Sequence, residues 1–118
     1  MITHPPANLT FRVGFPYGML YCGASYDLRL DLRIDWYKSG VLMNKLGSRI
    51  FLESRASGPS RILYFHDFVV TDAAVYSCHV YTKYGDIVSE QWAHGSIKIK
   101  GIIYDRYSQQ TIFFGPIG

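Results

Sequence analysis

Cys22 and Cys78 are the two cysteines of the chain, and they bound the sulfur chemistry open to it. One pair suffices for a single disulfide and falls short of a four-cysteine zinc site. The four histidines are His4, His66, His79 and His94. None stands in an H-E-x-x-H or H-x-H arrangement, the spacings that bring two imidazoles to one metal. His66 and Asp67 are neighbours on an expected strand and so point to opposite faces. No G-x-S-x-G elbow presents a serine nucleophile. Gly14 and Gly18 flank Pro16 and read as a turn rather than a phosphate cradle. Residue types capable of chemistry are present without the spacing that chemistry needs. No catalytic residue, metal or cofactor is expected.

The elements that position these residues read as strands. The chain has 118 residues, enough for one domain, and 48% of them are hydrophobic. Ten tyrosines and seven phenylalanines favour a pleated surface on which flat rings pack well. Candidate strands are Asn8–Val13, Met19–Ala24, Leu32–Lys38, Arg49–Glu53, Arg61–Phe68, Ala74–Thr82 and Ser96–Lys100, with a short turn at Val70–Ala73. Turn-rich pieces separate them, among them Ser39-Gly40, Ser57-Gly-Pro-Ser60 and Tyr84-Gly85-Asp86. Many short strands at regular spacing predict an all-β sandwich or barrel. Residues two apart on a strand share a face. That puts Leu20, Cys22 and Ala24 together, likewise Ile34 with Trp36, Leu63 with Phe65, and Tyr76, Cys78 and Val80. His79 should then face out.

Twelve basic and nine acidic residues leave a net charge of +3. The basic residues are scattered, from Arg12 to Lys98, so no nucleic-acid stripe is expected. No run approaches eighteen apolar residues, so no direct membrane insertion is expected. Met1 leads into Ile-Thr-His-Pro-Pro, with neither a basic stretch nor an apolar run, and no signal peptide is read there. The domain is placed at residues 1–101. Residues 102–118 are strongly apolar, as in Ile102-Ile103-Tyr104 and Ile112-Phe113-Phe114. They add a strand, make a dimer contact or begin a linker.

Trp36 follows Cys22 by fourteen residues, and Cys78 follows Cys22 by 56. With Tyr76 two residues before Cys78, this resembles the immunoglobulin superfamily. In those domains one disulfide bridges two sheets, a tryptophan packs on it, and a tyrosine forms a corner. The resemblance implies a two-sheet Greek-key sandwich with Cys22 bonded to Cys78 and Trp36 beside them. Asp72-Ala-Ala-Val-Tyr-Ser-Cys78 looks like the D-x-A-x-Y-x-C motif of variable-like and intermediate-set domains. There an arginine opening the fourth strand pairs with the aspartate, which implies an Arg49–Asp72 ion pair. A disulfide of this kind needs an oxidising compartment and so an extracellular setting. The sequon Asn8-Leu9-Thr10 would agree, making Asn8 a candidate glycosylation site.

The segment from Cys22 to Trp36, carrying Ala24-Ser25, Asp27 and leucines at 28, 30 and 32, resembles the membrane-proximal domain of contactins and of neurofascin- and neuroglian-type adhesion molecules. Ser57-Gly58, Arg61-Ile62 and Ile97-Lys-Ile-Lys-Gly101 continue the likeness over about residues 3–101. Leu28 stands where those domains usually have proline. Ser48-Arg-Ile-Phe51 and Ile62-Leu-Tyr-Phe65 also resemble the first domain of interleukin receptors, which normally carry further cysteines. The resemblance implies an adhesion or receptor module, or a spacer between modules. A cytokine-receptor or secreted decoy domain is the second expectation, and an intracellular structural domain with reduced cysteines the third. The expected partner is a protein on a cell surface or in the matrix, a second copy included. Tyr37, Tyr81, Tyr84 and Trp92 are the candidate contact residues, since Tyr and Trp concentrate at the energetic centres of interfaces.

Overall fold

The computed structural model describes residues 2–25, 31–52, 59–84, 87–104 and 109–116, with side chains for all of these except 83–84, 87–88 and 103–104. Eleven strands are present among the described residues: β1 (Ile2–His4), β2 (Asn8–Arg12), β3 (Tyr17–Tyr21), β4 (Gly23–Ala24), β5 (Asp31–Lys38), β6 (Val41–Leu42), β7 (Ile50–Leu52), β8 (Ile62–His66), β9 (Ala74–Tyr84), β10 (Ile87–Tyr104) and β11 (Gln109–Phe114). A single 3-10 turn, Val70–Asp72, lies between β8 and β9.

Alternation along these strands builds two sheets that close on each other. The back sheet is ordered β3-β8-β7, with β1 paired to β4 at its side. The front sheet is ordered β11-β10-β9-β5-β6, and β2 joins it parallel to β10. Leu20, Leu63 and Phe65 point inward from the back sheet. Leu32, Ile34, Trp36, Tyr76, Val80, Ile97 and Ile99 meet them from the front, all buried. Each large apolar side chain so buried contributes roughly 1.5–3 kcal/mol. At one end Phe11 stacks on Phe68 with ring centroids 4.1 Å apart. Phe68 in turn stacks on Phe65, and Phe65 meets the Tyr76 ring edge-on. The result is the expected all-β Greek-key sandwich.

Several strands were not legible as runs of apolar residues. Between β1 and β2 the chain crosses from the back sheet to the front through Pro5 and Pro6, which have no N–H to give a ladder. The predicted Met19–Ala24 strand is broken at Cys22, whose N–H donates to the Arg61 carbonyl at 2.8 Å before the chain turns to pair with β1. Ser39 and Gly40 both have positive φ, 49° and 79°. That geometry suits a two-residue hairpin loop between β5 and β6.

The sequence pattern marks only Ser96–Lys100 of β10 as a strand, yet β10 runs for 18 residues. Its inward positions Ala93 and Gly95 are small, so no apolar alternation shows there. Ala93 faces Cys78 and Gly95 faces Tyr76 in register. A Cβ at Gly95 would sit 2.5 Å from the Ala7 carbonyl oxygen. Only glycine lets β10 pass that close to the crossing segment.

The apolar tail supplies an extra strand. β10 continues through residue 101, and β11 returns against it from Tyr104↔Gln109 to Ile99↔Phe114. Ile99 and Lys100 also pair with β2, so β11 must lie on the opposite edge, in line with β9. The hairpin therefore runs on beyond the sandwich. The molecule measures 65 × 28 × 21 Å with a radius of gyration of 16.7 Å, against about 13–14 Å for a compact chain of this length.

Candidate partner-binding face

The sandwich is pinned at its centre. Cys22 from the back sheet and Cys78 from β9 are disulfide-bonded and fully buried. Trp36 is the register partner of Cys78 on the neighbouring strand, which sets its indole beside the sulfurs. Its Nε1–H donates to the Ser60 carbonyl at 2.9 Å, so the buried ring leaves no polar atom unsatisfied.

A second fastening lies at the turn before β9. Arg49 grips Asp72 with both ends of its guanidinium: Nη1 donates to Oδ2 and Nη2 to Oδ1, each at 3.0 Å. Nη1 also donates to the carbonyls of His66 and Asp67, and the Val69 N–H reaches Asp72 Oδ2. The carboxylate is wholly buried while the Arg49 side chain stays one-third exposed. The hydrogen bond to Asp72 is the main cause that raises the Arg49 pKa. The Tyr76 hydroxyl donates to the Asp72 carbonyl at 2.6 Å, tying β9 back to the turn that precedes it. Burial first, then the nearby Asp72 charge, pushes the Tyr76 pKa well above that of a free tyrosine, with Arg49 opposing.

Outside this pin, the solvent face of β5, β9 and β10 forms an ordered grid. Trp92, His79 and Asp35 are register partners in one row; Glu90, Tyr81 and Arg33 form the next. The Trp92 indole stacks on the His79 imidazole, and the Tyr37 ring packs at a tilt against Trp92, centroids 5.0 Å apart. His79 Nε2 meets Glu90 Oε2 at 2.7 Å, and the Tyr81 hydroxyl donates to Asp35 Oδ2 at 3.1 Å. Partial burial, then that hydrogen bond, raises the Tyr81 pKa. Trp92 remains 45% exposed. Side chains held by cross-strand partners present a preorganised aromatic surface with little rotamer freedom left to lose. Among the described residues no three of His, Cys, Asp and Glu converge as a metal site would require.

No protein-family model and no curated protein matches the chain. Solved structures do. The N-terminal Ig1-2 module of the Drosophila receptor protein tyrosine phosphatase DLAR matches 86% of the chain at 25% identity, with a TM-score of 0.67. Immunoglobulin domains 1–4 of Sidekick-1 match 96% at 18% identity and a TM-score of 0.72. Murine CRIg matches 84% at 11% identity and 0.66, and 96% of that chain is covered. The chain is an immunoglobulin-superfamily domain. It spans about half of the DLAR module and about a third of the Sidekick-1 chain, 48% and 31%.

On this immunoglobulin domain the sequence-predicted residues fall into three groups. Cys22, Cys78 and Trp36, with Tyr76, Arg49 and Asp72, make the two fastenings, one at the centre and one at the turn before β9. Tyr37, Tyr81 and Trp92 come together on the front face; the Tyr84 side chain lies outside the described residues. Asn8 sits apart on β2, exposed, its Oδ1 accepting from Ser96 Oγ at 3.0 Å. Sequence reasoning placed His79 on the outside but missed its stack on Trp92. The signal was cross-strand register, readable only once β10 is known to extend back to residue 87.

A second exposed surface went unnoticed. On the back sheet Tyr17, Met19, Tyr21 and Phe51 are each 45–46% exposed. Tyr64 lies between them as the register partner of both Met19 and Phe51.

Proposed function

We propose that this immunoglobulin domain is an extracellular recognition module of a cell-surface adhesion or receptor protein, docking a protein partner through the front face without catalysis. The preorganised Tyr37–Trp92–His79–Tyr81 cluster carries the reading. Its rings and the polar groups of Asp35 and Glu90 combine an apolar anchor with a charged rim, the anatomy of protein interfaces. The disulfide supports an oxidising, extracellular setting, and the match to the DLAR receptor module agrees with a receptor context. The Cys22–Trp36 segment supports the contactin-like kind of adhesion molecule over the cytokine-receptor kind.

The exposed back-sheet residues Tyr17, Met19, Tyr21 and Phe51 favour a second reading, in which the opposite face makes the contact and the front face is spared.

Binding of labelled domain to a panel of cell surfaces tests the proposal. The disulfide-bonded domain should bind saturably, and a reduced and alkylated sample should not. Equal binding by both samples would argue for adsorption rather than recognition by a folded face.

A further inference from the structure

We infer that β11 is a self-pairing edge, through which two copies of this chain join as an antiparallel, two-fold dimer. The inference is independent of the front-face reading. In an antiparallel ladder alternate residues turn their N–H and C=O groups away from the partner strand. β11 pairs with β10 over all six of its residues, and among the described residues no strand covers its other edge. At its base the β10–β11 ribbon belongs to the sandwich, with Ile99 buried and Phe114 packed against the core, but past Lys100, where the pairing with β2 ends, it runs on beyond it.

The composition of β11 marks it for pairing. Gln-Gln-Thr-Ile-Phe-Phe has no charge and no proline, the devices by which open edges are normally blunted. The far edge of the same ribbon is different. There Arg12 closes β2 beside Lys100, and the Val13 N–H occupies the Lys100 carbonyl. Two cations at that margin would repel their counterparts in a second copy. β11 presents no such conflict.

The side chains agree. Ile112 and Phe114 lie over Gly101, where a Cβ would come within 3.3 Å of the Phe114 ring, and they hold β11 flat on β10. On the other side of the ribbon Thr111 is exposed, Phe113 is 61% exposed and Ile102 is 47% exposed. An antiparallel strand against its twin is self-complementary, each residue of one copy meeting its counterpart reciprocally. The product is a four-stranded sheet, β10-β11-β11-β10, that covers both copies of Phe113. An edge of six residues buries less than the roughly 1,200 Å² of a standard interface, so the dimer is weak and reversible.

Analytical ultracentrifugation of the full chain over rising concentration tests this. The mass should climb from one chain to two and stop. Thr111→Lys with Phe113→Lys places like charges on both sides of the two-fold axis and should weaken association at least about tenfold. Both side chains are exposed, so the melting temperature should hold; if it falls, Gln110→Lys at a third exposed edge position gives the same reading. A monomer at every concentration would overturn the inference. So would a mass that grows past two, or a dimer indifferent to the lysines and lost with Trp92→Ala.

Discussion

The Trp92 indole lies almost flat on the His79 imidazole, ring centroids 4.1 Å apart and planes 9° from parallel. The two are direct register partners across β9 and β10, so the pleat itself sets the stack. Aromatic pairs of this kind contribute about 0.5–1.5 kcal/mol beyond area burial. A double-mutant cycle with Trp92→Ala and His79→Ala, followed by urea unfolding, should give a coupling in that range, and each single variant should stay folded. Strict additivity would mean that the rings merely lie side by side.

Arg49 and Asp72 lead to a larger effect. The Asp72 carboxylate is buried and receives two donors from Arg49. Among the described residues, removing the arginine leaves that charge with the Val69 N–H alone. Breaking a buried pair from one side costs about 3–5 kcal/mol. Arg49→Leu should therefore lower unfolding stability by roughly 3 kcal/mol, read from the denaturant midpoint. A loss below about 1 kcal/mol would put the pair in the class of surface ion pairs.

Tyr76 makes stability depend on alkaline pH. Its folded-state pKa is raised, chiefly by burial and then by the Asp72 charge. The unfolded chain ionises near pH 10. Below that pH both states hold the proton and the contribution is constant. Above it the unfolded state binds fewer protons, so stability falls, by up to about 1.4 kcal/mol per pH unit for one group. Tyr81, also raised, acts in the same direction. Tyr76→Phe should cost about 1 kcal/mol at neutral pH, for the lost hydrogen bond to the Asp72 carbonyl. It should also flatten the decline between pH 10 and 12, which is the part that a simple packing defect would not reproduce.

How much of this the sequence carried depended on side-chain size. Cys22, Trp36, Tyr76 and Cys78 are large or chemically distinctive, and the pin was what their resemblance to the immunoglobulin pattern implied. Leu20, Leu63 and Phe65 alternate openly and gave their faces correctly. β10 was hidden because its inward positions are Ala93 and Gly95, which a period-two reading does not register. That one omission concealed the Trp92–His79 stack and the Glu90 contact. The tail strand was equivocal for a different reason. An apolar hexapeptide reads alike as strand, linker or contact until its partner on β10 is known. The back-sheet row of Tyr17, Met19 and Tyr21 was missed because outward apolar residues on β3 break the rule that alternation is apolar in and polar out.

The disulfide closes a loop of 56 residues. Chain entropy puts its contribution at about 4 kcal/mol, a large share of the roughly 5–15 kcal/mol that holds such a domain folded. A Cys22→Ala/Cys78→Ala variant should show a correspondingly lower denaturant midpoint, with any folded fraction keeping the Trp36 indole buried. An unchanged midpoint would mean that the sheets hold each other without the bridge.

The front face is the centre of the account, and matched substitutions on the two faces test it most directly. Trp92→Ala and Tyr37→Ala should each weaken saturable cell-surface binding at least about tenfold, as hot-spot truncations do, while Tyr21→Ser and Phe51→Ser leave it within about twofold. All four residues are at least partly exposed, and melting curves would show that the sandwich survives. Full binding by the first pair together with loss in the second would contradict the account and move the partner to the opposite sheet.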